Sequence, residues 1–284
     1  MSTRASEPLP KDWPAGRSLA ISVNVMLEGW TDDAAPGLGP MGNPLKRGTL
    51  DLQARSWAAY GPRAGAWRIL DVLAAKSTRA VFYVSGIVAE RHPELVRAIA
   101  DAGHAVAAHS WAQNVVPASE TAESEAHHLA RCVAVLEQTS GARPRGWLSP
   151  RCTPSARTTA LLAAEGFTWH ADFFDRDLPS IERTDAGPIV AMPFTMEVND
   201  LPLAIAHGNE PEAFPRIVER LVADWPSLPS STPACVDITV HAHVFGRPAG
   251  ALQFARALDI VHRYDAWSWL TEHRTLAGLW APGI

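Results

Sequence analysis

Short apolar runs alternate along this chain with longer segments of helical periodicity, and this alternation constrains the fold more than any other feature. Apolar runs bounded by Gly and Pro are typical of strands in a parallel sheet, and the helical segments supply the crossover connections. About seven such β/α units follow one another without an evident linker, which favours a closed or nearly closed barrel. The predicted strands are residues 19–27, 79–84, 104–108, 144–148, 167–171, 189–192 and 235–240, with a short one near Ala266. The predicted helices are residues 65–75, 93–102, 122–137, 155–164, 212–223, 251–263 and 270–279, with Thr153 or Ser155 expected to cap the fourth.

The composition excludes several classes of partner. A net charge of −5 without a basic run gives no electrostatic attraction for nucleic acid. No apolar run is long enough to span a membrane, and residues 1–18 form a polar extension without the apolar core of a signal peptide. Three scattered cysteines do not make a disulfide framework. We therefore expect one cytoplasmic domain over residues 1–284 that binds a small molecule, has no nucleic-acid or membrane partner, and forms a homo-oligomer.

A long segment rich in Gly, Pro and Asp covers residues 31–56. Loops of this length are uncommon inside compact domains and are often functional, so this segment is expected to form a pocket wall or lid. Residues 37–42 match G-x-G-x-x-G formally, but they do not follow a strand directly and they contain Pro40. A dinucleotide site is therefore not predicted here.

Two histidines at the end of a predicted buried strand are the strongest functional signal. In residues 237–248, His241 and His243 share one face of the strand, and Gly-Arg-Pro follows at once. Because the carboxyl ends of parallel strands meet at one edge of a sheet, polar residues that end other strands are expected nearby. Those residues are Glu28, His109, Arg151 and Asp172.

The chemistry of these residues indicates proton transfer. Glu28 is a candidate general base, because partial burial at a strand end would raise its pKa towards the working range. The guanidinium of Arg151 can hold a carboxylate. Cys152, beside Arg151, leaves open a nucleophilic amidase in which the arginine lowers the thiol pKa. Asp175 and the neighbouring Asp177 could orient a histidine.

The ordered set of motifs between residues 19 and 280 resembles the polysaccharide-deacetylase (NodB-homology) superfamily, and within it the branch of metal-independent allantoinases and cyclic imide hydrolases. The resemblance implies an α/β fold, the deformed (β/α)7 barrel, and hydrolysis of a C–N amide bond. The motifs are Glu28, His109-Ser-Trp, Trp147-Leu-Ser-Pro-Arg151, Asp-Leu-Pro at residues 177–179, Asn199-Asp200, and His241-x-His-x-x-Gly-Arg-Pro248.

The sequence departs from the superfamily's sugar deacetylases where those enzymes bind a metal. They carry an Asp-Asp pair after the first strand and His-x-x-x-His after the third, whereas this chain has Glu28 alone and Gln113 in place of the second histidine. The resemblance therefore implies that no cofactor is required. A weakly bound zinc on Glu28 and His109 is the alternative, with His243 or Asp175 supplying a further ligand.

The resemblance also implies roles for individual residues. Glu28 would activate water, His109 would position it or polarise the carbonyl, His241 would protonate the leaving nitrogen, and Arg151 would orient the substrate. The Asn199-Asp200 pair is expected to shape its loop. The expected substrate-binding residues are Trp30, Trp111, Trp147, Asp175, His243 and Arg247.

The sequence thus predicts ring opening of a cyclic imide or ureide such as allantoin. Two alternatives stay open. One is a metal-dependent deacetylase of an N-acetylated sugar, and the other is a catalytically inactive barrel that binds a ligand.

Overall fold

Strand β1 (Leu19–Leu27) pairs with three other strands in this computed structural model, which describes residues 12–37, 39–42, 44–46, 48–229 and 233–280. Along one side it pairs with β9 (Ala234–His241), and both strands are buried over their whole lengths. On the other side β10 (Ser268–Thr271) pairs with its first half and β2 (Val81–Val84) with its second half. Because all three partners are parallel to it, the end of β1 meets the ends of β2 and β9.

The strands of the described residues form one curled sheet in the order β6-β7-β5-β4-β3-β2-β1-β9-β8, with β10 beside β1. Every pair is parallel except β6 and β7, which form an antiparallel hairpin. The predicted α/β class and deformed (β/α)7 barrel are confirmed. The remaining strands are β3 (Ala105–Ala108), β4 (Gly146–Trp147), β5 (Trp169–Phe173), β6 (Ser180–Thr184), β7 (Gly187–Pro193) and β8 (Val198–Asn199).

Helices cover the outer face of the sheet, and a large apolar cluster fills the space between the two layers. A second apolar cluster lies inside the curl of the sheet. None of the helices in the described ranges is both long and apolar enough to cross a membrane. The helices are α1 (Leu52–Tyr60), α2 (Ala66–Ala75), α3 (Gly86–Arg91), α4 (Pro93–Asp101), α5 (Ala122–Ser140), α6 (Thr158–Ala164), α7 (Ala213–Asp224), α8 (Pro248–Arg263) and α9 (His273–Trp280).

The predicted loop over residues 31–56 is shorter than expected. Its end is helical, because the Asp51 side chain accepts a hydrogen bond from the backbone nitrogen of Ala54 at 2.9 Å and so caps α1. A π-helical turn, Gly61–Gly65, then joins α1 to α2. The segment from 52 to 75 is therefore helical throughout, and only the part of the predicted loop before residue 52 remains as a pocket wall. The G-x-G-x-x-G match lies partly outside the described residues.

Three other sequence-based boundaries were wrong. Residues 172–187 were interpreted from the sequence as an acidic loop, but they contain β6, whose residues form hydrogen bonds with β7. Residues 270 and 271, which were predicted to begin the last helix, belong instead to β10, and β10 pairs with β1. Helix α6 begins later than expected: Arg157 occupies its N-cap position without a side-chain cap, so neither Thr153 nor Ser155 caps it. Helix α3 was not predicted.

Candidate active site

Four polar side chains converge where β1 and β9 end. Glu28 follows β1 directly, and its side chain is 10% exposed. Its Oε1 lies 3.5 Å from Nε2 of His109 and 3.9 Å from Nε2 of His241, while its Oε2 lies 3.9 Å from Nδ1 of His243. A buried carboxylate is thus surrounded by three buried imidazoles, as the parallel pairing of the strands requires.

Asp200 orients His241. The fully buried carboxylate of Asp200 accepts a hydrogen bond from Nδ1 of His241 at 2.6 Å, and its other oxygen accepts from the backbone nitrogens of His241 and Phe245. Asp200 lies between β8, which pairs with β9, and a π-helical turn, Leu201–Ala206. Because Nδ1 is occupied, Nε2 of His241 is the nitrogen that faces Glu28 and can exchange a proton.

The charges in this cluster differ from the sequence-based expectation. Burial alone would raise the pKa of Glu28, but the positive charge of His241 and a hydrogen bond from His109 outweigh it, so the pKa falls from 4.5 to about 2. Burial would lower the pKa of His241, but the negative charges of Asp200 and Glu28 outweigh it and the pKa is raised. The pKa of His243 falls to about 3, mainly through burial. The site therefore pairs an ionised Glu28 with a protonated His241, and the expected raised pKa of Glu28 is wrong.

His109 approaches Glu28 with a defined ring orientation. Its Nδ1 lies 2.7 Å from the carbonyl oxygen of Leu148, which can only accept, so Nδ1 carries a proton. Nε2 then faces the Glu28 carboxylate at 3.5 Å. Two lone pairs at this separation would repel each other, and a bridging water that donates to both satisfies the two groups. His109 is therefore placed to hold a water molecule beside Glu28.

The turn that carries His241 and His243 is packed against the π-helical turn Gly61–Gly65. A Cβ atom on Gly65 would overlap the carbonyl oxygen of Ala242, and a Cβ on Gly246 would overlap both that oxygen and the backbone of Gly65. Glycine is therefore required at these positions for the two backbones to meet. This contact fixes the first helical segment against the end of β9.

A cavity of about 310 Å³ opens beside Glu28. Trp30 forms part of its wall, and the indole ring lies edge-on to His243 with a centroid distance of 5.8 Å. The buried Trp57 packs edge-on against the same imidazole at 4.5 Å. Arginine side chains add positive charge to the lining, and they are Arg55, Arg63 and Arg91. The cavity thus combines an acid–base cluster, aromatic surface and guanidinium groups, which suits a small polar ring.

The comparisons with known proteins agree with this geometry. A family model described as polysaccharide deacetylase matches residues 59–170. Over that range the chain is similar to the polysaccharide-deacetylase family. The resemblance drawn from the ordered motifs is thereby confirmed, and so is the predicted enzyme class, a hydrolase of C–N bonds other than peptide bonds.

Three relatives show how far the similarity extends. A Schizosaccharomyces pombe protein provisionally named a polysaccharide deacetylase is 22% identical, over 95% of this chain and 92% of its own length. The structure of a probable polysaccharide deacetylase from Pseudomonas aeruginosa has a TM-score of 0.86 at 24% identity, covering 96% of this chain and 94% of that one. The structure of the Puue allantoinase also has a TM-score of 0.86, at 25% identity, covering 97% and 94%. These names do not agree on a substrate.

The metal site of the superfamily's deacetylases is not reproduced by these side chains. In the described part of the chain, no group of three or more His, Cys, Asp or Glu residues is arranged to hold a metal ion. Gln113 stands where a second histidine ligand is expected, and its amide nitrogen donates to Ser85 Oγ at 3.0 Å. Asp175, a candidate for a further ligand, is at the surface and paired with Arg176. The residues present therefore do not fit a metal centre of that type.

The other expected site residues are distributed more widely. Trp111 and Trp147 lie in the large apolar cluster between the sheet and the helices and are only 4% and 3% exposed. This corrects their assignment as substrate-binding residues. Arg151 is exposed to solvent. Arg247 donates to the carbonyl oxygens of His243 and Trp57 and lies over the Tyr60 ring at 4.1 Å, so it stabilises the histidine turn.

Cys152 does not have the properties of a nucleophile. Burial raises the pKa of its thiol, and the negative charges of Asp172, Glu28 and Asp237 raise it further. The exposed Arg151 does not offset these effects, so the nucleophilic amidase that the sequence left open is not supported. Arg151 and Cys152 both have positive φ angles, 56° and 51°, which places backbone strain in the turn after β4.

Sequence reasoning missed two residues of the cluster. Asp200 was expected to shape its loop, whereas it holds His241; the signal was its position in the Asn199-Asp200 motif of the superfamily. Trp57 lies between the predicted loop over residues 31–56 and the predicted helix over residues 65–75, and no local pattern separates it from a core tryptophan. The aspartates at 175 and 177, considered as histidine-orienting groups, do not contact His241, because Asp200 occupies its Nδ1.

A second polar network lies deeper in the curl of the sheet. Asp237 Oδ1 accepts hydrogen bonds from Asn24 Nδ2 and from His273 Nε2, both at 2.7 Å. With that proton on Nε2, Nδ1 of His273 accepts a hydrogen bond from the Tyr83 hydroxyl at 2.6 Å. All four side chains are at most 2% exposed. Burial raises the pKa of Tyr83, and Asp237 and Asp172 raise it further, so the hydroxyl keeps its proton.

Proposed function

We propose that this protein opens the ring of a cyclic imide or ureide by general acid–base catalysis. The observation that carries the proposal is the pairing of an ionised Glu28 with a protonated His241, whose Nδ1 is held by Asp200. Hydrolysis of an amide-type bond needs one group that accepts a proton from water and another that protonates the leaving nitrogen. Glu28 lines the cavity, and Nε2 of His241 lies 3.9 Å from the Glu28 carboxylate.

The proposed reaction adds one water molecule across a C–N bond of the ring. Water held by Glu28 and His109 attacks a ring carbonyl carbon, and Glu28 accepts one of its protons as the new C–O bond forms. The Nε2 proton of His241 moves to the ring nitrogen as the C–N bond breaks. The products are a carboxylic acid and an amide or urea nitrogen on one open chain. Transfer of the proton from Glu28 to His241 restores the starting state.

The two proton transfers support each other electrostatically. A carboxylate with a pKa near 2 is a weak base, which argues against Glu28 acting alone. His241 is the strongest of the influences that lower this pKa. When His241 donates its proton, its positive charge disappears and the pKa of Glu28 must rise. Glu28 therefore becomes a better base at the moment when the leaving nitrogen is protonated.

A metal-dependent deacetylase of an N-acetylated sugar is the second candidate. It is supported by the family model and by the names of two relatives. The hydrolysed bond is of the same type, but that activity in the superfamily uses metal ligands that this chain replaces. A requirement for added zinc would favour this candidate.

A panel of ring substrates tests the proposal. Succinimide, glutarimide, hydantoin, dihydrouracil and allantoin are followed by loss of absorbance, with and without a chelator, and release of acetate from N-acetylated chitooligosaccharides is followed in parallel. We expect turnover of at least one ring that persists in the chelator. The Glu28→Gln variant, which keeps the size of the side chain, should lose it.

Three other results would contradict the proposal. Ring turnover that disappears with chelator and returns with zinc would mean that a metal takes part. Acetate release without ring turnover would identify the sugar deacetylase. If neither activity is found but a ligand binds measurably, the protein is the inactive ligand-binding barrel.

A further inference from the structure

The rim of the cavity beside Glu28 is positively charged although the protein as a whole is acidic. Arg55, Arg63 and Arg91 line it, and Asp32 is the carboxylate that lies among them. The ionised Glu28 lines the same cavity. A molecule that fills the cavity therefore meets both the negative charge of Glu28 and the positive charges of the arginines.

Two of the three arginines are already engaged. Arg91 donates to the Asp32 carboxylate at 2.9 Å and to the carbonyl oxygen of Trp30 at 3.3 Å. Arg55 donates to the carbonyl oxygen of Asp32 at 2.9 Å. Arg63 has no hydrogen-bond or ion-pair partner among the residues that the structure describes. Arg63 is exposed and belongs to the lining of the cavity, so its planar guanidinium has donors available for a ligand, in the geometry that binds a carboxylate with two hydrogen bonds.

The backbone that carries Arg63 is fixed relative to the acid–base cluster. Arg63 lies in the π-helical turn Gly61–Gly65, whose Gly65 meets Ala242 and Gly246 without room for a Cβ atom. Turns of this kind occur often at functional sites because they redirect a side chain. The backbone of Arg63 is therefore held against the turn that carries His241.

We propose that Arg63 binds an anionic substituent of the substrate, so that the preferred substrate is a cyclic imide or ureide that carries a carboxylate. This inference rests on the proposed ring-opening function and specifies its substrate class. The pairing of Asp32 with Arg91 shows that the rim already holds one carboxylate against a guanidinium. A carboxylate on the ring makes the equivalent pair with Arg63 while the ring carbonyl reaches Glu28 and His109.

The test compares dihydrouracil with dihydrouracil-6-carboxylate, two rings that differ only in the carboxylate. The measured quantity is the ratio of kcat/KM for the charged ring to that for the neutral ring. We expect this ratio to exceed one in the unmodified protein and to fall about tenfold in Arg63→Gln, since the pair is charge-assisted but partly exposed. Added salt should lower the ratio in the unmodified protein, because an exposed ion pair is screened.

Arg216→Gln is the matched control, because Arg216 is an exposed arginine on α7 that does not line this cavity. It removes the same charge, and its ratio should equal that of the unmodified protein. An equal fall in both variants would show a general charge effect and overturn the inference. A preference for the neutral ring in the unmodified protein would overturn it as well. Both results would leave the ring-opening function in place.

Failure of the ring-opening function itself gives a different outcome. If neither ring is hydrolysed, calorimetry measures the affinity of the unmodified protein and of Arg63→Gln for dihydrouracil-6-carboxylate. About tenfold weaker binding to the variant would support the anion site although the reaction is another one. Equal affinities, or no binding, would refute the role of Arg63.

Discussion

Two buried polar sets share strands β1 and β9, and they use the same kinds of side chain. The outer set joins Glu28 to His241, which is held by Asp200. The inner set joins Asn24 and His273 to Asp237. In each set an aspartate accepts a hydrogen bond from one nitrogen of an imidazole, so residue type does not distinguish them.

The difference lies in the second nitrogen of each histidine. Nδ1 of His273 accepts a hydrogen bond from Tyr83, which leaves the ring without a free position. Nε2 of His241 faces Glu28 at 3.9 Å, and Glu28 lines an open cavity. A fully bonded buried network stabilises and orders a core, whereas an imidazole with one position free can transfer protons. A catalytic histidine is thus recognised by an unused nitrogen that a substrate can reach.

The largest expected effect separates the two histidines directly. His241→Gln should lower kcat/KM on any ring substrate by about 10²- to 10⁴-fold, the range for loss of a general acid or base. Steady-state kinetics measures the loss, and circular dichroism shows that the fold is kept. A variant with near-normal turnover would contradict the assignment of His241 as the acid.

A smaller effect is expected from Asp200→Asn, which tests how the acid is kept protonated. Because His241 must carry its proton, activity is retained below its raised pKa and is lost as the pH rises through that value. Removing the negative charge of Asp200 lowers this pKa, so the alkaline limb of the kcat/KM profile should move to lower pH. At neutral pH we expect a loss of about tenfold or more.

The acid limb provides the complementary check on the same profile. With a pKa near 2, Glu28 stays ionised through the mildly acidic range, so its protonation should not limit activity there. An alkaline limb that is unchanged in Asp200→Asn would show that Asp200 has only a structural role.

The smallest effect on catalysis is expected in the inner network. His273→Gln should keep kcat/KM within a few-fold and lower the free energy of unfolding by about 2–4 kcal/mol, because Asp237 and Tyr83 lose a buried partner. Urea denaturation followed by tryptophan fluorescence measures the change. A loss of activity as large as that of His241→Gln, in a folded protein, would remove the distinction between the two sets.

Most residues of the outer set could be predicted from the sequence, but the pKa of Glu28 could not. Glu28, His109, His241 and His243 were placed together because each ends a predicted strand, and parallel strands end at one edge. The pKa of Glu28 was predicted in the wrong direction, since a single chain position does not show how many imidazoles will surround it. Trp111 and Trp147 were assigned to the pocket because a strand-end tryptophan looks the same whether its ring points to a cavity or to the core.

The alternation of strands and helices, the buried strand before His241 and the polar residues at the strand ends could be predicted from the sequence alone. Hydrophobic periodicity and turn residues are local properties of the chain. The partner of each polar group was decided by the tertiary structure. Asp200 reaches His241 from 41 positions away, and Asp237 reaches Asn24 from 213 positions away. Protonation and access depend on such contacts between distant segments, and these form only when the sheet has curled.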